Sequence, residues 1–376
     1  MKKSLIALAV LSAVAGAAQA QSSVTVYGLV DMGLQRQEIG ATKAHGNTPA
    51  TASSTTTALD SGNQSGSRLG FKGSEDLGGG LKANFKLEMG VFADTGASQG
   101  NTFGRQAYVG LSGDFGAVNF GRQYTPMFIA VDSFDPFGTG LTSGAAGEST
   151  SSFGAAAFFE PNVVGPRKNN SVTYSTNDLG GFTANLMYGL GEEKAGDNKS
   201  SRYMSMSAAY TAGPLFVTGV YSESEKGTNV PYTTKTSLFA ATYDFSVVKL
   251  AGAYSYLKND GTPSDALKRD VYSIGATVPV SAAGSFIFNY ITSKNKNRTL
   301  LTNPKPVGPA PQTLADADAN QTAIGYTHSL SKRTNVYTSF SYNRNNTDVS
   351  MGDAGGKARP DGATIKMFNV GIRHMF

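Results

Sequence analysis

Cysteine and tryptophan are absent from the 376 residues, and histidine occurs three times. With no thiol, the chain can form neither a disulfide, nor a thiolate metal site, nor a thiol nucleophile. A chain exported unfolded through an oxidising compartment also has nothing to mispair. His45, His328 and His374 are scattered without metal-ligand spacing, so neither metal nor cofactor is expected. A phosphate-cradling G-x-x-x-x-G-K-[ST] loop is also missing. The "GASQG" around Ser98 formally matches a nucleophile elbow, but it lies in a Gly/Ser-rich stretch with no strand-to-helix context and no partner histidine. Basic runs are lacking as well: 32 basic and 27 acidic residues are interspersed, which argues against a nucleic-acid partner.

Long apolar runs are the last absence. A membrane helix needs about 20 strongly apolar residues. The only extended stretch, "SLIALAVLSAVAGA", is short and Ala-rich, follows Lys2 and Lys3, and precedes a small-residue "AQA" ending at Ala20. That order reads as an export signal over residues 1–20, leaving 21–376 as the mature domain. Without the two signal lysines the mature chain has 30 basic against 27 acidic residues, a net of +3. A mean hydropathy of −0.21 excludes a helical bundle in the membrane but not a barrel, whose strands are apolar on one side only.

What the chain has is alternation. In "LKANFKLEMGV", Leu81, Ala83, Phe85, Leu87, Met89 and Val91 alternate with Lys82, Asn84, Lys86, Glu88 and Gly90. One apolar and one wet face over about eleven residues fits a strand that crosses a bilayer. The same alternation runs through Tyr272, Ile274, Ala276, Val278 and Val280, and through Phe239, Ala241, Tyr243 and Phe245. Short turns fall at 75–80, 113–116, 177–181, 212–214, 244–246, 281–284 and 331–334. Longer polar connections fall at 39–65, 94–103, 124–168, 192–202, 225–233, 258–268, 295–319 and 345–363. Seven short turns alternating with eight long loops predict an all-β, 16-stranded antiparallel transmembrane β-barrel with both termini on the short-turn side. The chain stops on an aromatic, "MFNVGIRHMF", a hazard on an open sheet edge but not on a strand that closes a barrel.

The stretches "SSVTVYGLVD", "GSRLGFKGSEDLGGGLKANFKLE", "FGRQAYVGLSGDFGAVNFGRQYTP", "NNSVTYS" and "VGIRHMF" are spread over the whole mature chain. Together they resemble the trimeric general porins of Gram-negative outer membranes, of the betaproteobacterial type. The resemblance implies a homotrimer in the bacterial outer membrane, in contact with outer-membrane lipid and lipopolysaccharide. It implies a water-filled pore in each subunit for small hydrophilic solutes and ions, and a third external loop folded into the barrel. It implies delivery by the barrel-assembly machinery through the C-terminal strand, with Phe376 at the seam. It implies passive diffusion and not enzymatic chemistry. A solute-specific channel for a sugar or organic anion is the alternative, ahead of a barrel enzyme or adhesin.

By the same resemblance, Arg68, Arg105 and Arg167 fall at pore-lining basic positions, Glu88 at an acidic one, and Arg122 at the start of the infolded loop. Alternation with Leu69 and Phe71 independently points Arg68 to the wet side, since an Arg facing lipid at mid-depth costs roughly 2–4 kcal/mol. Arg122 has the parity of Val118 and Phe120, so it faces the pore only if its strand bulges. The infolded loop corresponds to "YTPMFIAVDSFDPFGTG". In it, Met127, Phe128, Ile129 and Val131 are expected to pack on the inner wall, and Asp132 and Asp135 to face the solute. Pro126 and Pro136 are expected to bound a short helix. Arginines outnumbering carboxylates at the constriction predict an anion preference.

Overall fold

The structure, a computed structural model, describes residues 23–42, 50–140, 158–159, 165–191, 202–226, 232–260, 268–296, 318–346 and 362–376. Residues 1–20, expected to be an export signal, and His45 lie outside the described residues. In chain order the strands are β1 (Ser23–Ile39), β2 (Ser54–Ser61), β3 (Arg68–Gly78), β4 (Leu81–Val91), β5 (Ser98–Gln99), β6 (Gln106–Gly113) and β7 (Gly116–Tyr124). The helix α1 (Pro126–Phe134) follows. After it come β8 (Arg167–Ser175), β9 (Phe182–Gly189), β10 (Tyr203–Ala212), β11 (Leu215–Lys226), β12 (Tyr232–Asp244) and β13 (Lys249–Asn259). The last are β14 (Lys268–Pro279), β15 (Gly284–Asn295), β16 (Ala319–Ser329), β17 (Thr334–Asn345) and β18 (Thr364–Met375).

These eighteen segments occupy sixteen positions. β2 and β3 both pair antiparallel with β1, β2 along Met32–Ile39 and β3 along Ser23–Leu29. They are one stave interrupted at residues 62–67. In the same way β5 and β6 both pair with β4, at Gly90–Val91 and at Lys82–Glu88. The 39–65 connection expected to be all loop therefore carries β2, because Ser54–Ser61 extends the barrel wall beside the upper half of the 17-residue β1. β1 closes the barrel on β18, from Leu29↔Met375 to Ile39↔Ile365. The main chains of Gly28 and Phe376 extend that ladder, with N···O distances of 3.1 and 3.0 Å. Closure leaves no unpaired edge, as backbone in hydrocarbon requires.

The seven predicted short turns are present as tight hairpins. The like-sounding "EDLGGG" and "NDLGG" owe their likeness to a shared device. Asp76 accepts from the Gly78 amide and Asp178 from the Gly181 amide, at 2.8 and 2.6 Å, the side chain completing the turn as Asp does in such motifs. The outer face is apolar, with Ile274 61% and Phe239 64% exposed. At the short-turn end the rings of Phe182–Tyr210, Tyr243–Phe245 and Phe286–Tyr326 pack at tilted angles with centroids 4.3–5.0 Å apart. They are placed like the interfacial aromatic belt that Tyr and Trp form elsewhere.

Inside, the barrel is not uniformly polar. Val220, Leu238, Val271, Ile291 and Ala319 form one apolar patch of inner wall, and the long β7–β8 connection packs on it. Thr125 caps α1, its hydroxyl accepting from the Phe128 amide at 3.1 Å, and Pro126 occupies the first turn, where its missing N–H costs nothing. Met127, Ala130, Val131 and Phe134 bury against the wall with Phe158 and Phe159. Each fully buried side chain of this size contributes about 1.5–3 kcal/mol.

Candidate pore constriction

Downstream of α1 the chain is locked in place by one carboxylate. Asp135 accepts from the amides of Phe137 and Thr139 (3.1 and 3.0 Å) and from Asn289 Nδ2 on β15 (3.0 Å). It is 6% exposed, so it organises the turn and does not face the solute as expected. A short carboxylate directly before Pro136 and a turn is more useful as a backbone acceptor than as a pore charge. Burial pushes its carboxyl up, to about 6, against the pull of those three hydrogen bonds. Two wall glycines make room for the same turn. A Cβ on Gly275 would fall 2.5 Å from the Pro136 ring, and one on Gly325 2.9 Å from the Phe137 ring.

The other loop residues separate by helical phase. Met127 and Val131 are buried as expected, with no exposed surface. Ile129 is 51% exposed and lines the cavity, contrary to the expected wall packing. Little more than one turn of helix cannot place four of five successive residues on the same face. Phe128 also borders the cavity, stacked on Tyr124 with centroids 4.9 Å apart. Asp132 does reach the cavity, where it accepts from Thr139 Oγ1 at 2.9 Å. Desolvation there raises its carboxyl above the ordinary range, offset by Thr139 and Arg68.

Three of the four predicted arginines meet on one side of this cavity, whose volume is about 760 Å³. Arg105 donates through Nε to Glu88 Oε1 (2.8 Å) and through Nη2 to the Tyr124 hydroxyl (2.7 Å). Arg167 donates to the same hydroxyl at 3.0 Å and lies over the Tyr124 ring, 4.6 Å from its centroid. Arg68 points inward, as its parity predicts, and donates to the Gly66 carbonyl at 3.0 Å. Glu88 is 2% exposed, held by Arg105 and by the Tyr27 hydroxyl at 2.8 Å. It anchors Arg105 from behind and does not face the stream.

Arg122 is not part of this group. A register shift between β7 and β8 at Gly121/Gln123 supplies a bulge, but Arg122 still pairs with Ala107, which has the same parity as outward Val109 and Leu111. Cross-strand partners share a face, so Arg122 points outward, bonded to the Gly104 carbonyl and Asn169 Oδ1 at 2.5 Å each. The bulge instead re-aims Tyr124 inward, a device bulges commonly supply. Sequence reasoning missed Tyr124. Its position directly before Thr125-Pro126, where a strand ends on an aromatic, was the available signal.

A closed barrel with an apolar outer belt and an interior cavity half-filled by its own loop is the architecture of a water-filled transmembrane channel. The family model described as Gram-negative porin matches residues 7–348, and the chain belongs to that family of outer-membrane diffusion channels. The chain is 34% identical to outer membrane porin protein 32 of Delftia acidovorans and 31% identical to an outer membrane porin protein of Bordetella pertussis, over the full length of both partners in each case. The fold resembles the solved anion-selective porin from Comamonas acidovorans, with a TM-score of 0.74 and 29% identity over 95% of this chain and all of that one. It also resembles OmpT of Vibrio cholerae, solved in a trimer form, with a TM-score of 0.62 and 16% identity over 94% of this chain and 99% of that one.

Proposed function

We propose that the pore prefers anions and is narrowed where α1 faces Arg68, Arg105 and Arg167. The observation that carries this reading is the imbalance of charge around the cavity among the described residues: three arginines converge there, and Asp132 is the described loop carboxylate that opposes them. Glu88 and Asp135 are withdrawn into the wall, so their charges act through the side chains they hold. Rings of fixed charge in a narrow aqueous path select ions by sign. Similarity to a porin titled anion-selective supports the same sign.

The assembled channel is a homotrimer, a reading supported by trimeric porins of this fold. Residues 1–20 direct export and are removed, and the terminal Phe376, half exposed beside Gly28, carries the assembly signal. The decisive experiment is the zero-current potential in a bilayer under a KCl gradient. Wild type reads on the anion side, and Arg68→Gln with Arg167→Gln moves it toward zero. A cation-side reading in wild type would end the proposal. Liposome swelling with graded sugars and organic anions separates general diffusion, in which rate follows size, from a solute-specific channel, in which one solute departs from that trend.

A further inference from the structure

The cavity has a second cationic end that the constriction does not use. It is lined by Arg373 of β18 and by Lys332 and Arg333 of the β16–β17 turn. That turn is at the short-turn mouth, away from α1. Arg373 and Arg68 flank β1 on opposite sides, Arg373 paired with Asp31 and Arg68 with Leu29. Two strand spacings put their backbones roughly 10 Å apart along the wall, and each guanidinium has its own anchors, Asn335 and Ser65 for Arg373 and the Gly66 carbonyl for Arg68.

Arg373 is held in a fixed direction. Its Nε donates to Asn335 Oδ1 at 3.0 Å and its Nη1 to Ser65 Oγ at 2.9 Å. Ser65 is part of the inward kink, residues 62–67, which interrupts the second stave. Asp31, fully buried, anchors that kink by accepting from the amides of Gln64 and Ser65, both at 2.6 Å, and from the Tyr337 hydroxyl, also at 2.6 Å. The carboxylate beside Arg373 is thus committed to the backbone, and no Asp31–Arg373 bond closes off the guanidinium. Neutral donors adjoin the cations. Thr327 Oγ1 accepts from Asn335 Nδ2 at 3.1 Å, and Ser331 Oγ accepts from the amides of Arg333 and Thr334 at 3.1 Å. Each hydroxyl, used as an acceptor by the protein, keeps its own hydrogen for a ligand. Two guanidinium groups and an ammonium, which can only donate, and two hydroxyls with a hydrogen to give form a donor-rich set, which suits an ion with several acceptor oxygens better than a halide.

We propose that Arg373, Arg333 and Lys332 form a second anion position at the short-turn mouth, taking small oxyanions of the inorganic phosphate class. It rests on the channel being anion-conducting, yet it is read out separately. The test is chloride conductance of single trimers with inorganic phosphate added to the short-turn side. Wild type shows a saturable fall in conductance. Arg373→Gln raises the half-effect concentration roughly tenfold, as loss of one charge-assisted contact does, and the turn variant Lys332→Gln/Arg333→Gln, which removes two cations and leaves every strand intact, raises it at least as much. Their chloride reversal potentials stay on the anion side. Absence of saturation in wild type, or saturation unchanged in both variants, overturns the proposal. So does saturation that responds only to Arg68→Gln or Arg167→Gln, which would place the ion at the constriction. A wild-type reversal potential on the cation side refutes the anion-preferring pore instead, whatever phosphate does.

Discussion

A single hydroxyl holds two of the three constriction arginines. Tyr124 accepts from Arg105 and Arg167, so Tyr124→Phe removes both bonds while keeping the ring on which Phe128 and Arg167 rest. Hydrogen bonds to charged groups contribute about 1.5–3 kcal/mol, and their loss frees the guanidinium groups to move. The expected outcome is noisier single-channel current and a smaller anion-side reversal potential, with trimers still formed; an unaltered trace would show that Tyr124 is not the scaffold. Asp132 is the residue whose charge opposes the arginines. Asp132→Asn should strengthen anion preference. Because crowding holds its acid above the ordinary carboxylate range, acidification should do the same in wild type and not in the variant, read from reversal potentials across pH. Asp135 behaves differently. Its folded value of about 6 stands above the value of about 4 for a free carboxyl. The inward loop is therefore firmest below that window and loses stability as pH rises through it. Conductance should not increase on lowering the pH from neutral to 5, and an increase would mean that acid expels the loop.

At the scale of elements, the constriction loop is a wedge fitted to a prepared slot. α1 buries one face against the wall, and Pro136 and Phe137 sit over Gly275 and Gly325. Gly275→Val fills the slot with two methyl groups where even a Cβ would meet the Pro136 ring. Overpacking of this kind costs typically 1–3 kcal/mol. The wedge should lift, raising single-channel conductance and admitting larger sugars in liposome swelling, without loss of the barrel's β-sheet signal in circular dichroism. Deleting residues 128–134 should have the same effect more strongly. The 62–67 kink, whose Gln64 carbonyl lies against Gly140 at the end of that loop segment, depends on Asp31. Asp31→Ala leaves the Gln64 and Ser65 amides and the Tyr337 hydroxyl buried without their acceptor, each costing about 1–3 kcal/mol. A lowered unfolding temperature of the folded channel is the expected reading.

For the molecule as a whole, stability rests on closure. β1 and β18 join the chain's two ends, and Phe376 adds the last main-chain bonds and lays its ring over Gly28. Deleting Phe376 should lower the yield of heat-sensitive trimers in outer-membrane fractions more than it alters the conductance of those that form. Equal trimer yield would refute that role. Selectivity belongs to this scale too, because it is a field summed over fixed charges. Raising salt from 0.1 M to 1 M shortens the Debye length from about 10 Å to about 3 Å, and the anion preference should shrink accordingly.

The sequence by itself determined the wall. A period of two fixes which side chains meet lipid, and turn residues fix where hairpins close. Strand number, closure, the inward direction of Arg68 and the helix bounded by Pro126 and Pro136 were therefore legible. Each follows from chemistry within a few residues. Tertiary structure decided what lies inside. Whether Asp135 meets solvent or backbone depends on Asn289, 154 positions away. Whether Ile129 meets wall or water depends on how α1 rolls against β11 and β12. One bulge, against a strand that begins at Arg167, turns Tyr124 into the cavity while Arg122 stays outward. The direction of Arg373 is set by Ser65 and Asn335, which come beside it only in the closed barrel. Alternation is a local property of a strand, whereas the charge that a solute meets is set by contacts between staves that are adjacent only once the barrel has closed.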